Sequence, residues 1–479
     1  MNREAMGQSS EKCQASRSRL CLLLPLFCLF VARAWAAELP ATVTTALKEA
    51  GIPIRSVSVV VQDVDSKVPL IRHNAEQPMN PASVMKLVTT YAALELLGPA
   101  YVWTTEALGD RPPVEGRLEG NLYLRGSGDP RLALEQFWLL LRRLRVHGVR
   151  DINGDLVLDR SAFLLPPHDP GEFDREPLRP YNAGPDALLV NLKSVHLTLQ
   201  PDPGGTQVEI LAETPSDGLH LVNRLKLSDE PCGDWREKFK VDAGADVIEL
   251  RGIFPAACGP KALHLSPWPA DMQVGRLFSA LWRELGGTFT GRVREGKAPA
   301  GAPILAVNES PALGEVVREI NKYSNNVMAR QVFLTLAADR PATPEAARRR
   351  IEDWLATKGL RMPGLILDNG SGLSRRERIS ADSLGRLLLA AWRSPVMPEL
   401  FASLPIAGID GTMKKRLGDS TATGRARLKT GYLENVRSIA GYVQDADDRR
   451  WIVVFLINDA KARGGKPAMD ALLRWLAER

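Results

Sequence analysis

The chain has 479 residues, 44% of them hydrophobic and 25% charged, with 5 cysteines. That balance excludes a disordered, collagenous or disulfide-dense miniprotein and suits two to four domains of roughly 100–200 residues each. The 62 Lys and Arg against 56 Asp and Glu give a formal +6, too mild at this length to imply nucleic acid as a partner.

The N-terminal segment reads as an export signal. Arg17 and Arg19 precede an apolar run over 20–31, and Ala34-Trp35-Ala36 puts small residues at the two positions a signal peptidase reads. The run is shorter than the roughly 20 residues a bilayer span needs, so cleavage after Ala36 is expected in place of a transmembrane anchor. Pro25-Leu26-Phe27 before Cys28 lacks the small residue of a lipoprotein signal. Cleavage removes Cys13, Cys21 and Cys28 and leaves Cys232 and Cys258. In an exported protein an even pair is expected to be a disulfide, with two free thiols as the alternative.

Downstream, 41–50 reads as a helix ended by Gly51, and 56–62 as a β-branched strand. Asn80-Pro81 reads as a helix start, with Asn as cap and Pro at the first helical position. That helix runs through Val84, Leu87, Val88, Tyr91, Leu94 and Leu97 to Gly98. It is apolar nearly all round and should be buried. From about 109 to 269 Gly, Pro and Asp are frequent, strands are expected at 122–124, 156–158, 195–199 and 208–211, and one helix at 132–145. This texture suggests one or two small β-rich domains. Helical patterns return at 272–285, 313–337, 344–357 and 382–392, followed by strands at 437–444 and 450–458 and an amphipathic helix at 467–476. The opening strand and helix therefore belong with the closing helices and strands, and the middle is an insertion.

The buried helix carries Ser83-Val84-Met85-Lys86. Three residues apart on a helix, Ser83 and Lys86 share a face, and a serine in the first turn feels the positive end of the macrodipole. A hydroxyl needs a base to become a nucleophile, and a lysine serves only if burial or a second cation lowers its pKa. Alone, the pair is an ordinary helix polar pair, and Ser9 and Lys12 match the same spacing. Two further motifs change that: Tyr323-Ser324-Asn325-Asn326 holds the only Ser-x-Asn of the chain, and Lys429-Thr430-Gly431 is its only Lys-Thr-Gly. The first lies in a helical region, and the second leads into the C-terminal strands and is expected on an edge strand facing the site. Rival signals fail. Gly291 and Gly296-Lys297 nearly spell a phosphate loop, but Ala298 stands where a hydroxyl must reach Mg²⁺. The six histidines show no His-Glu-x-x-His, and there is no Gly-x-Ser-x-Gly elbow.

In this order the three motifs resemble those of the serine acyl-transferases that include penicillin-binding proteins and class A β-lactamases. Asp368-Asn369-Gly370-Ser371-Gly372-Leu373-Ser374-Arg375 and Leu404-Pro405-Ile406-Ala407-Gly408-Ile409-Asp410-Gly411-Thr412 narrow the resemblance. They are similar to signatures of the D-alanyl-D-alanine carboxypeptidase/endopeptidases, the class C low-molecular-mass penicillin-binding proteins. Gly126-Ser127-Gly128-Asp129-Pro130 and Gly154-Asp155-Leu156 fit that family's inserted region.

The resemblance implies an α/β (α+β) fold: an antiparallel sheet flanked by helices, penicillin-binding and β-lactamase-like, with a large β-rich insertion forming two small domains. The expected division is 1–36 signal peptide, 37–102 and 270–479 catalytic domain, and 103–269 insertion, which holds Cys232 and Cys258. It implies Ser83 as the acylated nucleophile, Lys86 as its base, Ser324 as a proton relay and Asn326 as the amide holding substrate and Lys86. Lys429 would supply positive potential, and Thr430 would bind the substrate's terminal carboxylate. Gly431 and Tyr432 are expected with Thr430 among the substrate-binding residues, and the N–H groups of Ser83 and Tyr432 would form the oxyanion hole. It implies no cofactor and no metal. The implied partners are peptidoglycan stem peptides and, as acylating inhibitors, β-lactams, in the periplasm. Two departures stand out: Asn325 replaces the commoner Asp, and Tyr432 replaces a small hydroxyl residue, which bears on substrate preference. A β-lactamase-like hydrolase would need a Glu-x-x-x-Asn loop between the second and third motifs, and none is present. An inactive peptidoglycan-binding scaffold would not need three intact motifs.

Overall fold

Strand Arg450–Asn458 is apolar almost throughout because it is covered on both faces. In the computed structural model, which describes residues 38–479 apart from 338, it is the centre of an antiparallel sheet; the export signal expected at 1–36 lies outside the described residues. The strands are β1 (Val57–Asp63), β2 (Ile71–His73), β3 (Ala426–Leu433), β4 (Val436–Gln444) and β5 (Arg450–Asn458), in the spatial order β3-β4-β5-β1-β2. The helices around it are α1 (Ala41–Glu49), α2 (Lys86–Leu97), α3 (Leu313–Tyr323), α4 (Asn326–Thr335), α5 (Ala381–Trp392) and α6 (Lys466–Ala477). Alternation along the strands divides the core. Val57, Val59, Val61, Val453, Phe455 and Ile457 pack on α1 and α6. Val60, Ile452, Val454 and Leu456 face α2, α3, α4 and α5 on the other side. The expected antiparallel sheet flanked by helices is present, and Lys429-Thr430-Gly431 lies on β3, an edge strand.

Helix α2 is the centre of the helical layer: every residue from Lys86 to Leu94 is buried. It ends at Gly98, whose φ of +83° takes the chain out of the helix while its N–H still bonds Leu94 O. Its start differs from the expectation. Residues Ala82–Met85 form a 3₁₀ turn, and α2 begins only at Lys86. The side chain of Asn80 accepts from the N–H of Ala82, two residues on, and so builds a tight turn instead of a helix cap. The single helix expected over 313–337 is also two. Ser324 adopts a left-handed conformation (φ 58°, ψ 37°) that stops α3, and Asn325 caps α4 by accepting from Met328 N–H.

The insertion has two hydrophobic cores. The first surrounds a sheet of Val293–Glu295, Leu156–Asp159, Leu122–Gly126, Thr104–Gly109 and Ile304–Glu309. Its 122–126, 156–159 and 293–295 strands run parallel, and helices Leu134–Val146 and Ala270–Glu284 cover it through Phe137, Leu141, Leu277, Phe278 and Trp282. This part is therefore α/β and not simply β-rich. Residues 304–309 pair antiparallel with 104–109, so strand pairing carries the insertion to 309, past the boundary expected at 269. A helical pattern over 272–285 says that a helix forms, not which core it covers. The second core holds two three-stranded sheets around Leu197, Leu250, Phe254 and Trp268. Cys232 and Cys258 are joined there as a disulfide. Strands His220–Ser228 and Phe239–Ala243 escape sequence reading, and both expose much of their length. Buried Gln331 and Arg330 on α4 tie the insertion down: Gln331 bonds Asp186 N–H and the carbonyls of Asp186 and Gly128, and Arg330 donates to Ala183 O. Gly126 is needed at this junction, since a Cβ there would lie 2.1 Å from Ala187 O.

Candidate active site

The turn that carries Ser83 is held from three sides. From β5, Asn458 Oδ1 accepts the N–H of Asn80 at 2.8 Å, and its Nδ2 donates to Asn80 O at 2.9 Å. From the 368–374 segment, Ser374 O accepts Asn80 Nδ2 at 2.8 Å. From β4, Ser438 Oγ donates to Pro81 O at 2.6 Å. Glycines allow the close approach: a Cβ on Gly431 would lie 2.1 Å from Ser438 Oγ and 2.7 Å from Pro81 O. Ala82, next to the nucleophile, has a φ of +46°, a strained conformation that such surroundings can impose.

Lys86, fully buried, has its Nζ 3.0 Å from Ser83 Oγ and donates to Asn326 Oδ1 at 2.6 Å and to the carbonyl of Ser371. Burial above all, and then the charge of Lys429, holds its pKa well below the ordinary lysine value. A neutral amine has two N–H groups and one lone pair. With both N–H groups taken by Asn326 and Ser371, the lone pair is left facing Ser83 Oγ, which is the arrangement a general base requires.

Lys429 is also fully buried; it donates to Ser324 Oγ at 2.8 Å and to Thr430 O at 2.7 Å, and burial pushes its pKa down to about 7. The left-handed turn at Ser324 aims that hydroxyl at Lys429, and the next two residues cap and open α4, which places Asn326 against Lys86. Thr430 Oγ1 lies 2.8 Å from Thr412 Oγ1, forming a pair of hydroxyls beside the lysine. Tyr432 is 62% exposed, with its ring 3.6 Å from the Arg437 guanidinium, so it stands on the rim of the strand. The structure thus brings Ser83, Lys86 and Asn326 into one hydrogen-bonded group, and Ser324, Lys429, Thr430 and Gly431 into a second along β3. Cys232 and Cys258 belong to the insertion's second core and to neither group.

The cap explains the Asn325 departure. Asn and Asp cap helices about equally, so the position tolerates either for a local reason. Asn325→Asp should keep the parent chain's stability in chemical denaturation. Asn325→Ala should lose about 1 kcal/mol of stability in chemical denaturation.

Four residues escaped sequence reading. Asn80 was visible only as a helix cap. Ser371 offers its backbone carbonyl, which carries no residue-type signal. Ser438 lies mid-strand in β4 without a motif. Thr412 closes the 404–412 motif and could have been found there. That loop is clamped by buried Lys322, whose Nζ donates to Leu404 O and Asp410 Oδ2, both at 2.6 Å. Asp410 Oδ1 in turn accepts Ile406 N–H at 2.8 Å, and the loop presents Thr412 to Thr430.

The profile of the D-Ala-D-Ala carboxypeptidase 3 (S13) family matches residues 39–479. The chain is 26% identical over 411 residues to the D-alanyl-D-alanine carboxypeptidase DacB of Haemophilus influenzae, covering 84% of this chain and 85% of that one. It is 29% identical over 404 residues to a D-alanyl-D-alanine carboxypeptidase of Actinomadura sp., covering 80% and 74%. The crystal structure of penicillin binding protein 4 (dacB) from Haemophilus influenzae shares the fold, with a TM-score of 0.77 at 24% identity over 91% of this chain and 99% of that one.

Proposed function

The chain belongs to the D-Ala-D-Ala carboxypeptidase 3 (S13) family, and from that premise we propose a serine-type hydrolase of the D-Ala–D-Ala end of peptidoglycan stem peptides, exported to the periplasm. The observation that carries this reading is the Lys86 amine, 3.0 Å from Ser83 Oγ with Asn326 and Ser371 accepting its other N–H groups.

Lys86 takes the proton of Ser83 as Oγ attacks the carbonyl between two D-alanines. The N–H groups of Ser83 and Tyr432 receive the oxyanion, and each such donor is worth about 10²–10³ in rate. Lys429 with Thr430 and Thr412 receives the substrate's terminal carboxylate. The tetrahedral intermediate collapses, the C–N bond breaks, and D-Ala leaves as Lys86 gives up the proton it took, by way of Ser324 Oγ, to the departing amine, which returns Lys86 to its neutral form. An acyl ester remains on Ser83. Water, deprotonated by Lys86, then hydrolyses it and restores the serine. The same attack on a D-Ala–diamino-acid crosslink is endopeptidase action. A β-lactam presents a similar carbonyl and carboxylate and acylates the same oxygen. Among the described residues no helix is long and apolar enough to cross a membrane.

Incubation with a fluorescent penicillin, followed by mass spectrometry, tests this reading. A long-lived label on Ser83, absent in Ser83→Ala, is expected. Rapid loss of label would point to a β-lactamase, and equal, absent labelling of both chains would remove the acyl-enzyme altogether.

A further inference from the structure

Glu377 has no part in the steps above, yet its side chain is completely buried beneath them. Its Oε1 accepts three successive backbone N–H groups, those of Asp368 at 3.3 Å and of Asn369 and Gly370 at 3.2 Å. Its Oε2 is buried with no hydrogen-bond partner among the described residues. The segment it grips is the one that serves Lys86. Ser371 O accepts from Lys86 Nζ, Gly370 O accepts from Thr89 Oγ1 of α2 at 2.7 Å, and Gly372 rests against the Ala82–Ser83 backbone.

The charged groups that face Glu377 come from three elements: Asp368 of its own segment, Lys86 of α2 and Arg330 of α4. Arg330 is itself buried and spends a donor on Ala183 O. Lys86 faces Lys429 of β3 in addition. A carboxyl group with one oxygen in a cradle of N–H groups and the other unpaired supplies, once ionised, a negative charge in a dry site. A neutral amide could hold the same segment through its one carbonyl oxygen, but it would supply no charge.

Resting on the assignment of Lys86 as the base, we propose that Glu377 is a positioning residue for Lys86: it holds the 368–371 segment so that the Ser371 carbonyl meets Nζ, and it places a negative charge beneath that amine. The charge favours the ammonium form, against burial and Lys429, and so makes Lys86 a stronger base once deprotonated. Burial pushes Glu377 up to about 7 against the pull of its N–H bonds and of Lys86. With Glu377 ionised, the amine loses its proton at higher pH than Lys86 alone would.

The test is the second-order rate constant for acylation by benzylpenicillin across pH, measured on the full chain. In Glu377→Gln the acid limb should move down by about one pH unit, and the plateau should fall about threefold or more, so that the profile crosses that of the parent. Glu377→Asp keeps the charge and should leave the limb in place with a lower plateau. A Gln profile that is merely scaled, or that superimposes on the parent, overturns the proposal. If the Gln variant fails to fold, the Asp variant decides, and a limb shifted downward in it overturns the proposal equally. Failure of the parent chain to acylate would instead overturn the acyl-enzyme reading itself.

Discussion

Replacing Lys86 by alanine should lower the rate of acylation by penicillin about 10²–10⁴-fold, the span a positioned general base supplies, while the protein remains folded. The loss is chemical because, among the described residues, no other amine is bonded to Ser83 Oγ: Lys429 spends its donors on Ser324 and Thr430. The fold should survive for a reason of magnitude. The substitution leaves Asn326 Oδ1 and Ser371 O without a donor, at about 1–3 kcal/mol each, but it also removes the cost of burying an amine. Helix α2 keeps Leu87, Val88, Tyr91 and Leu94 in the core. Acylation rates by intact-mass spectrometry together with a thermal melt check both halves. Parental rates in Lys86→Ala would refute its role as base, and a collapsed melt would show that the lysine is chiefly structural.

Gly372→Ala should be nearly as damaging to acylation and more damaging to the fold. Gly372 has a φ of +80°, and a Cβ there would lie 2.0 Å from Ala82 O and 2.7 Å from Ser83 Cα. Both neighbours are backbone, so no side chain can swing aside, and the nucleophile's turn itself must move. Strain at positive φ costs about 1 kcal/mol or more, and the clash adds to it, giving a loss of about 2–4 kcal/mol. A displacement of even 1 Å at a nucleophile costs about 10² in rate. Gly205→Ala separates the two effects, because Gly205 also has a positive φ (+64°) but nothing within 4 Å of its Cβ position. That variant should lose about 1 kcal/mol and keep the parental acylation rate. Denaturation curves and acylation rates of the two variants, side by side, provide the measurement. Parental acylation in Gly372→Ala would mean that the 368–374 segment does not brace Ser83.

The same segment shows where the reach of sequence reading stops. As a string, 368–374 is a glycine-rich turn with a family signature. In the fold it contributes an acceptor for Lys86, a brace for the Ser83 turn and the cradle of Glu377. None of these has a spacing to read, since the acceptor is a backbone carbonyl and the brace is the absence of a Cβ. The insertion's boundary failed for a related reason. Residues 270–284 have the periodicity of an amphipathic helix whichever core they cover, and only the pairing of 304–309 with 104–109 shows which core that is.

What the sequence determined by itself is what depends on a few neighbouring residues. Helices at 41–50, 344–357 and 467–476 and strands at 56–62 and 450–458 follow from periodicity and turn chemistry, each within about a residue of its place in the fold. The roles expected of Ser83, Lys86, Ser324, Asn326 and Lys429 come instead from the resemblance of their three motifs, in order, to those of the serine acyl-transferases. Tertiary structure alone decided that Lys86 is wholly dry, that the Ser371 carbonyl joins Asn326 in accepting its N–H groups, and that Glu377 is buried where it holds the 368–370 backbone. The acceptors stand 240 and 285 residues away along the chain. Local propensity acts over one or two turns of backbone, whereas a proton's affinity is set by every charge and dipole within a few ångströms, and those are assembled only when the sheet and the central helix close on each other.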